Sequence, residues 1–227
     1  MRCRLDAGLR GMRGEIGQAL DDAARDKLVQ YLLLLLRWNR TFNLTAIRDP
    51  MEMVPRHLLD SLAALPWVER GPVLDAGTGA GLPGIPLAIA RPGLVFVLLD
   101  SNGKKTRFVR QAVAALALNN VEVVQSRLET YRPRSKFATI VARALAALPS
   151  LVDGASRLAA EHGRLLAFKG PLAGDELAAL GPFLRGRDGP ASRSMAVAAS
   201  GCHPLVVPGV GGERNLIEVS LGGITHG

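Results

Sequence analysis

The spacing of apolar positions in this chain changes near residue 70. Before it, Leu28, Tyr31, Leu32, Leu35 and Leu36 recur at intervals of three and four, and Trp38 extends the stripe onto an adjoining face. That period predicts helices across residues 15–65, with Trp38 and Phe42 in the core. Asn43-Leu44-Thr45 and Arg48-Asp49-Pro50 interrupt the pattern as turns, and it resumes from Met51 to Leu65. The apolar run 31–36 is far too short to span a bilayer and reads as the buried side of a helix. After Pro72, short apolar runs alternate with helical segments. Val73-Leu74, 94–99, 121–124, Thr139-Ile140-Val141 and 164–168 predict strands, and Gly84–Ala90, 104–118 and 150–160 predict helices between them. Strands that are apolar throughout, separated by helices, make a parallel sheet covered on both faces, a doubly wound α/β fold. Beyond residue 181 the chain is richer in Gly, Pro and Ser. There Leu205-Val206-Val207 and 216–221, joined through 209–212, predict an antiparallel terminal hairpin. The expected organisation is a helical segment, 1–66, packed on an α/β domain, 67–227.

The first strand runs into Asp75-Ala76-Gly77-Thr78-Gly79-Ala80-Gly81-Leu82-Pro83-Gly84. Alternating glycines let a backbone pass close to a ligand and adopt positive φ. The prolines at 83 and 86 suit the first turn of a helix. Such a strand–turn–helix cradles a nucleotide-like ligand, and two ligands compete for it. Gly79-x-Gly81-x-x-Gly84 with Asp100 about twenty residues on fits the dinucleotide fingerprint. Asp75 favours S-adenosylmethionine (SAM) instead: a turn that holds pyrophosphate wants no anion nearby, whereas an acid at the mouth of the loop helps hold the cationic methionine end.

Charge adds a partner to this picture. The chain carries a formal +8, and between Asp100 and Arg143 nine basic residues face only Asp100, Glu122 and Glu129. That segment, about a fifth of the chain, therefore holds +6 of the excess, and a cluster of this kind suits a polyanion such as RNA. Lys104, Lys105, Arg107 and Arg110 open a helix, where the macrodipole disfavours cations, which points to an external anion. The two cysteines, Cys3 and Cys202, are far apart and are expected as free thiols in a reducing compartment. The N-terminus lacks an apolar signal core, so the expected location is the cytoplasm.

Taken in order, Trp38-Asn39, Asn43-Leu44-Thr45, Arg56-His57-Leu58-Leu59-Asp60-Ser61, the turn from Asp75 to Pro86, and Leu98-Leu99-Asp100-Ser101 form one set. Gln125-Ser126-Arg127-Leu128-Glu129, Ala142-Arg143-Ala144 and Phe168-Lys169-Gly170 continue it, and Gly212-Glu213-Arg214-Asn215-Leu216 echoes it weakly. The set resembles the glucose-inhibited division protein B family, the bacterial 16S rRNA (guanine(527)-N7)-methyltransferases. The resemblance implies a Rossmann-like class I SAM-dependent methyltransferase acting on 16S rRNA in the small ribosomal subunit or its assembly intermediate. It also implies cofactor contacts at Gly77, Leu82, Leu128, Glu129 and Arg143, with Asp75 and Gly79 in the same loop and Asp100 on the ribose hydroxyls. Three positions depart from the family pattern: Ala142 for a serine, Leu145 for an aromatic residue, and Asn102 for an apolar one.

Guanine N7 carries a free in-plane lone pair, so its methylation removes no proton. The expected site therefore holds no obligate acid or base and no metal, and gains its rate by alignment and water exclusion. Glu129, Asp60 or rRNA phosphate are expected to offset the charge of the cationic product. Expected RNA contacts are Arg56, His57, Lys104, Lys105, Arg107 and Lys169. For Arg143 a pair with Glu129, and for Asp60 a contact with His57, stand as structural alternatives. Two other classes compete with the whole reading: a non-catalytic SAM-fold rRNA-binding assembly factor, and an NAD-dependent oxidoreductase.

Overall fold

The computed structural model describes residues 1–12, 16–18, 20–185 and 197–221. The 186–196 part of the Gly/Pro/Ser-rich stretch, the tail after Leu221, and residues 13–15 and 19 lie outside the described residues. Seven strands form one sheet in the order β3-β2-β1-β4-β5-β7-β6. They are β1 Val73–Ala76, β2 Phe96–Asp100, β3 Val121–Gln125, β4 Phe137–Arg143, β5 Ala159–Lys169, β6 Val197–Pro204 and β7 Asn215–Leu221. β1 to β5 pair in parallel, and β7 runs antiparallel to both β5 and β6. The strand order turns outward from β1 in both directions, so the carboxyl ends of β1 and β4 flank a topological switch point, where α/β sheets hold their ligands.

Two apolar layers cover the sheet. One is built from α7 (Leu148–Ser156) and α8 (Ala173–Arg185), with Leu148, Leu151, Val152 and Leu180 packed on Leu74, Ile140 and Leu165. The other is built from α5 (Gly84–Ala90), α6 (Gly103–Ala115) and the N-terminal helices. There Leu28, Tyr31, Leu32 and Leu35 of α2 (Asp22–Phe42) share a continuous core with Val73, Phe96, Phe108 and Val141. The stripe that predicts α2 is thus the face that joins it to the sheet. Trp38 is half-buried, 5.7 Å from Phe108 and 5.2 Å from Phe42 between ring centroids, while Phe42 itself is exposed.

Four elements differ from the sequence pattern. α1 (Arg2–Gly11) lay outside the predicted helices; it buries Leu5 and Leu9, and its Gly8 packs closely on Leu59. The helix expected over 150–160 ends at Ser156, because Ala159 pairs with Phe137 and begins β5. Strand pairing here overrides the helix preference of alanine. The hairpin partner of β7 is Val197–Pro204, not Leu205-Val206-Val207. Leu205 and Val207 turn into the core beneath the N-terminal helices instead of continuing the ladder. Finally, β3 is an edge strand whose residues are half-buried or exposed, although its sequence is apolar enough for an interior one.

Asn120 ties this frame together at the start of β3. Its Nδ2 donates to the carbonyls of Ala88, Arg91 and Leu94 at 3.1, 3.3 and 3.1 Å, joining the end of α5 and the approach to β2. Asn120→Ala is expected to cost about 2 kcal/mol in urea unfolding, because it removes the donor that these three carbonyls share.

Candidate active site

The glycine turn sits over the carboxyl end of β1. Gly77, Gly79 and Gly81 adopt φ of 71°, 60° and 90°, values that a side chain resists. Beneath them, Asp75 is fully buried. Its Oδ2 accepts from Thr78 Oγ1 at 2.6 Å and from the Gly84 amide at 2.8 Å, so one carboxylate closes the turn and caps α5. Gly84 is obligatory there, since a Cβ would stand 2.2 Å from Leu98 Cδ2 and 2.6 Å from Asp75 Oδ2. Asp100, at the end of β2, accepts from the Gly79 amide at 2.9 Å and from the Asn102 amide at 2.8 Å. Two carboxylates therefore set the turn, one from below and one from the neighbouring strand. Asp75 is not at the mouth of the loop, as expected from the sequence, but under it.

The N-terminal helices press on the same turn. Tyr31 of α2, wholly buried, donates its hydroxyl to Ala80 O at 2.7 Å. Asn43 caps α2 in the left-handed conformation, and Asn39 brackets Thr45 with both side-chain atoms, donating to its carbonyl at 3.0 Å and accepting from its amide at 2.9 Å. Thr45 in turn meets His57. The Nδ1 of His57 faces the Arg56 carbonyl at 3.1 Å and must donate, so Nε2 accepts from Thr45 Oγ1 at 3.0 Å. Burial pushes His57 down to about 4, with the charge of Arg143 adding to the effect. His57 is thus a buried neutral ring, and it does not face the surface where a phosphate would lie. Its ring hydrogen-bonds to Thr45 and the Arg56 carbonyl, and Asp60 forms ion pairs with arginines instead.

Arg143, at the end of β4, points its Nη1 to Asp60 Oδ2 at 3.1 Å and to Arg56 O at 3.4 Å. Its ion pair is with Asp60, not Glu129. Lys169, at the end of β5, donates to Glu176 Oε2 at 2.6 Å and to Ala146 O at 2.8 Å, while Glu176 also accepts from the Leu148 amide at 2.9 Å. The lysine expected to reach phosphate instead fastens the β4–α7 loop to α8. Arg56 is exposed and pairs with Glu52 one helical turn earlier. Leu82 is buried behind the turn, and Leu145, 40% exposed, lies over Gly77, where a Cβ would stand 2.4 Å from Leu145 Cδ1. Leu128, in the turn after β3, wedges against Gly154 of α7, and Glu129 beside it is exposed.

The family model GidB, rRNA small subunit methyltransferase G, matches residues 24–182. The chain is 52% identical over 202 residues to a ribosomal RNA small subunit methyltransferase G of Alkalilimnicola ehrlichii, covering 89% of this chain and 86% of that protein. The chain belongs to this family. Among solved structures, the glycopeptide N-methyltransferase MtfA complexed with S-adenosylhomocysteine (SAH) superposes with a TM-score of 0.57 at 14% identity, covering 73% of this chain and 87% of that one. The SAM-dependent methyltransferase SibL, in its apo form, gives 0.58 at 18% identity, covering 92% and 73%. The fold is therefore that of class I SAM-dependent methyltransferases, and the dehydrogenase alternative falls away.

In this GidB member the residues present fit SAM on an observation of their own. Asp75 Oδ1 is buried with no hydrogen-bond partner, and a donor from the ammonium end of the cofactor, direct or through water, would satisfy it. Asp100, whose carboxylate has further lone pairs beyond its two amide bonds, keeps acceptor capacity for hydroxyls. Beside this turn, Asn102 caps α6 through the amides of Lys104 and Lys105, which accounts for its departure from the family pattern. Lys104, Arg107 and Arg110, with Gln111 and Gln125, line an open depression of about 850 Å³. Among the described residues none of Lys104, Lys105, Arg107 or Arg110 pairs with an acid. Sequence reasoning did not find Tyr31, Thr78, Thr45 or Glu176 as parts of the site. The one available signal was a tyrosine in a leucine stripe, whose hydroxyl must find a partner when buried.

Three variants test this geometry. Tyr31→Phe leaves the Ala80 carbonyl without its donor and is expected to lower stability by about 1 kcal/mol and SAH affinity several-fold in calorimetry. Burial pushes Asp75 up from 3.8 to about 6, against the bonds from Thr78 and Gly84. The stability tied to that raised value is full below pH 3.8 and is lost as pH rises through 6. Asp75→Asn should therefore gain on wild type by about 2 kcal/mol between pH 4 and pH 7 in urea titrations. His57 has the opposite sign: its depressed value gives stability present above its ordinary 6.5 and lost as pH falls through 4. His57→Gln should flatten that acid limb.

Proposed function

We propose that the protein transfers a methyl group from SAM to N7 of a guanine in small-subunit rRNA, position 527 of the 530 loop. The observation that carries this reading is the adjacency of two features: a glycine turn set by Asp75 and Asp100, and, starting three residues after Asp100, a helix whose cations pair with no acid among the described residues. SAM supplies an electrophilic methyl on a sulfonium. The chain holds it with the turn Gly77–Gly79–Leu82, with Asp75 and Asp100, with Leu128 and Glu129 after β3, and with Arg143. Lys104, Lys105, Arg107 and Arg110 hold the phosphodiester backbone of the rRNA.

No side chain needs to move a proton, and the state of the acid–base candidates supports this. Asp75 is buried with its Oδ2 on the turn, His57 is neutral and bonded to Thr45, Asp60 faces arginine, and Lys169 faces glutamate. Each is committed to a neighbour before substrate arrives. What the site contributes is alignment, through a turn clamped from below and beside, and exclusion of water by Leu145 and the rRNA itself. An rRNA substrate places the reaction in the cytoplasm, on the small subunit or its precursor.

Labelled SAM incubated with bare 16S rRNA, an assembly intermediate and the 30S particle should give label in one of them, mapped to one 7-methylguanine by borohydride–aniline cleavage. Label in no form, with SAH bound, would leave an assembly factor without catalysis. Lys104→Glu/Arg107→Glu is expected to weaken rRNA binding about tenfold or more and to lower the salt slope of binding by about two, with SAH affinity unchanged. Filter binding across a salt series reads both numbers.

A further inference from the structure

Asp60 sits where three separate segments of the chain meet. It is 6% exposed and stands between two arginines: Oδ2 accepts from Arg143 Nη1 at 3.1 Å, while Oδ1 is 3.5 Å from Arg214 Nε, an ion pair that leaves this oxygen without a hydrogen bond. These three residues come from the N-terminal helices, the end of β4 and the approach to β7. The sheet joins the last two through β5, and the Asp60 carboxylate ties the N-terminal helices to both. A buried ion pair gains little over apolar packing of the same size, so burial of an acid between two cations here asks for a reason other than stability.

The backbone around Asp60 adds a second observation. Asp60 follows directly on a π-helical stretch, Val54–Leu59, inserted between the short helices α3 (Pro50–Met53) and α4 (Asp60–Leu62). Such widened turns are rare and concentrate at functional sites, where they redirect the side chains that follow. This one turns Arg56 O and Asp60 toward the same guanidinium, so Nη1 of Arg143 is held from two sides. From there the charge of Arg143 is felt by Asp75 beneath the glycine turn, by Tyr31 and by His57.

We propose that Asp60 is a positioning residue for the methyl-transfer reaction: it fixes the guanidinium of Arg143 beside the glycine turn, with Arg214 steadying the other oxygen. This rests on the reading that Arg143 touches the cofactor. Asp60 then acts through Arg143 alone and touches neither cofactor nor base.

The test is a double-mutant cycle on the full chain, read as SAH affinity by calorimetry, with urea midpoints for every variant. Asp60→Asn, an isosteric change, is expected to weaken SAH about tenfold and to raise KM for SAM while KM for rRNA stays put. Asp60→Glu, which keeps the charge, recovers affinity to within about threefold of wild type. Arg143→Gln loses at least as much as Asp60→Asn, and the double variant binds no worse than Arg143→Gln alone. Arg214→Ala, which leaves the Asp60–Arg143 pair in place, changes affinity less than threefold. Should Asp60→Asn fail to fold, the Asp60→Glu loss must vanish in the Arg143→Gln background, and a loss that persists there overturns the proposal. Wild-type SAH affinity in folded Asp60→Asn, or additive losses in the double variant, overturns it while the cofactor reading of Arg143 stands. Normal SAH binding by Arg143→Gln removes that reading, and the proposal with it.

Discussion

Everything at the carboxyl end of this sheet depends on how the amides of one turn are satisfied. In a backbone that passes through three left-handed glycines in five residues, the amides of Gly81 and Leu82 close on Thr78 O and that of Thr78 on Leu99 O, while those of Gly79 and Gly84 need side-chain acceptors. Asp75 and Asp100 supply them, to Gly84 and Gly79. The cost is a carboxylate with no access to water, and Asp75 shows it in a pKa raised to about 6. The turn is therefore closed by a buried carboxylate that would be unfavourable alone.

The rest of the molecule is arranged to keep that turn in place. The N-terminal helices do so from one side, with the Tyr31 hydroxyl on Ala80 and the chain of Asn39, Thr45 and His57 behind it. The β4–α7 loop is kept from moving by Lys169 and Glu176. Charge is sorted accordingly. Near the turn the acids Asp60, Asp75, Asp100 and Glu176 all have internal partners, while the cations of α6 have none among the described residues. The proposed rRNA-binding face carries cations that pair with no acid among the described residues, which is the condition for attraction across a distance.

Most of the element types were legible because burial on both faces leaves a plain signature. Leu98 and Leu99, or Ile140 and Val141, are apolar in succession only where a strand has helices above and below. α1 was not legible: it is short, mostly polar, and held by Leu5, Leu9 and a close Gly8–Leu59 approach that exists only after folding. Leu205 and Val207 misled for the converse reason. They are apolar and adjacent to a strand, yet their burial comes from the N-terminal helices, which no local pattern announces.

The residue types in order settled the family and the glycine turn, because a turn with those φ values and a capped helix after it leaves few alternatives. They also located the excess of positive charge. What they could not settle was partnership. Lys169 reads the same whether it faces phosphate or Glu176, and Asp60 the same whether it orients His57 or two arginines. An ion pair between residues 83 or 154 positions apart has no trace in sequence spacing. It forms because the sheet order brings β4 and β7 to one end of the molecule and a π-helical turn aims a carboxylate there, and only the folded chain has both.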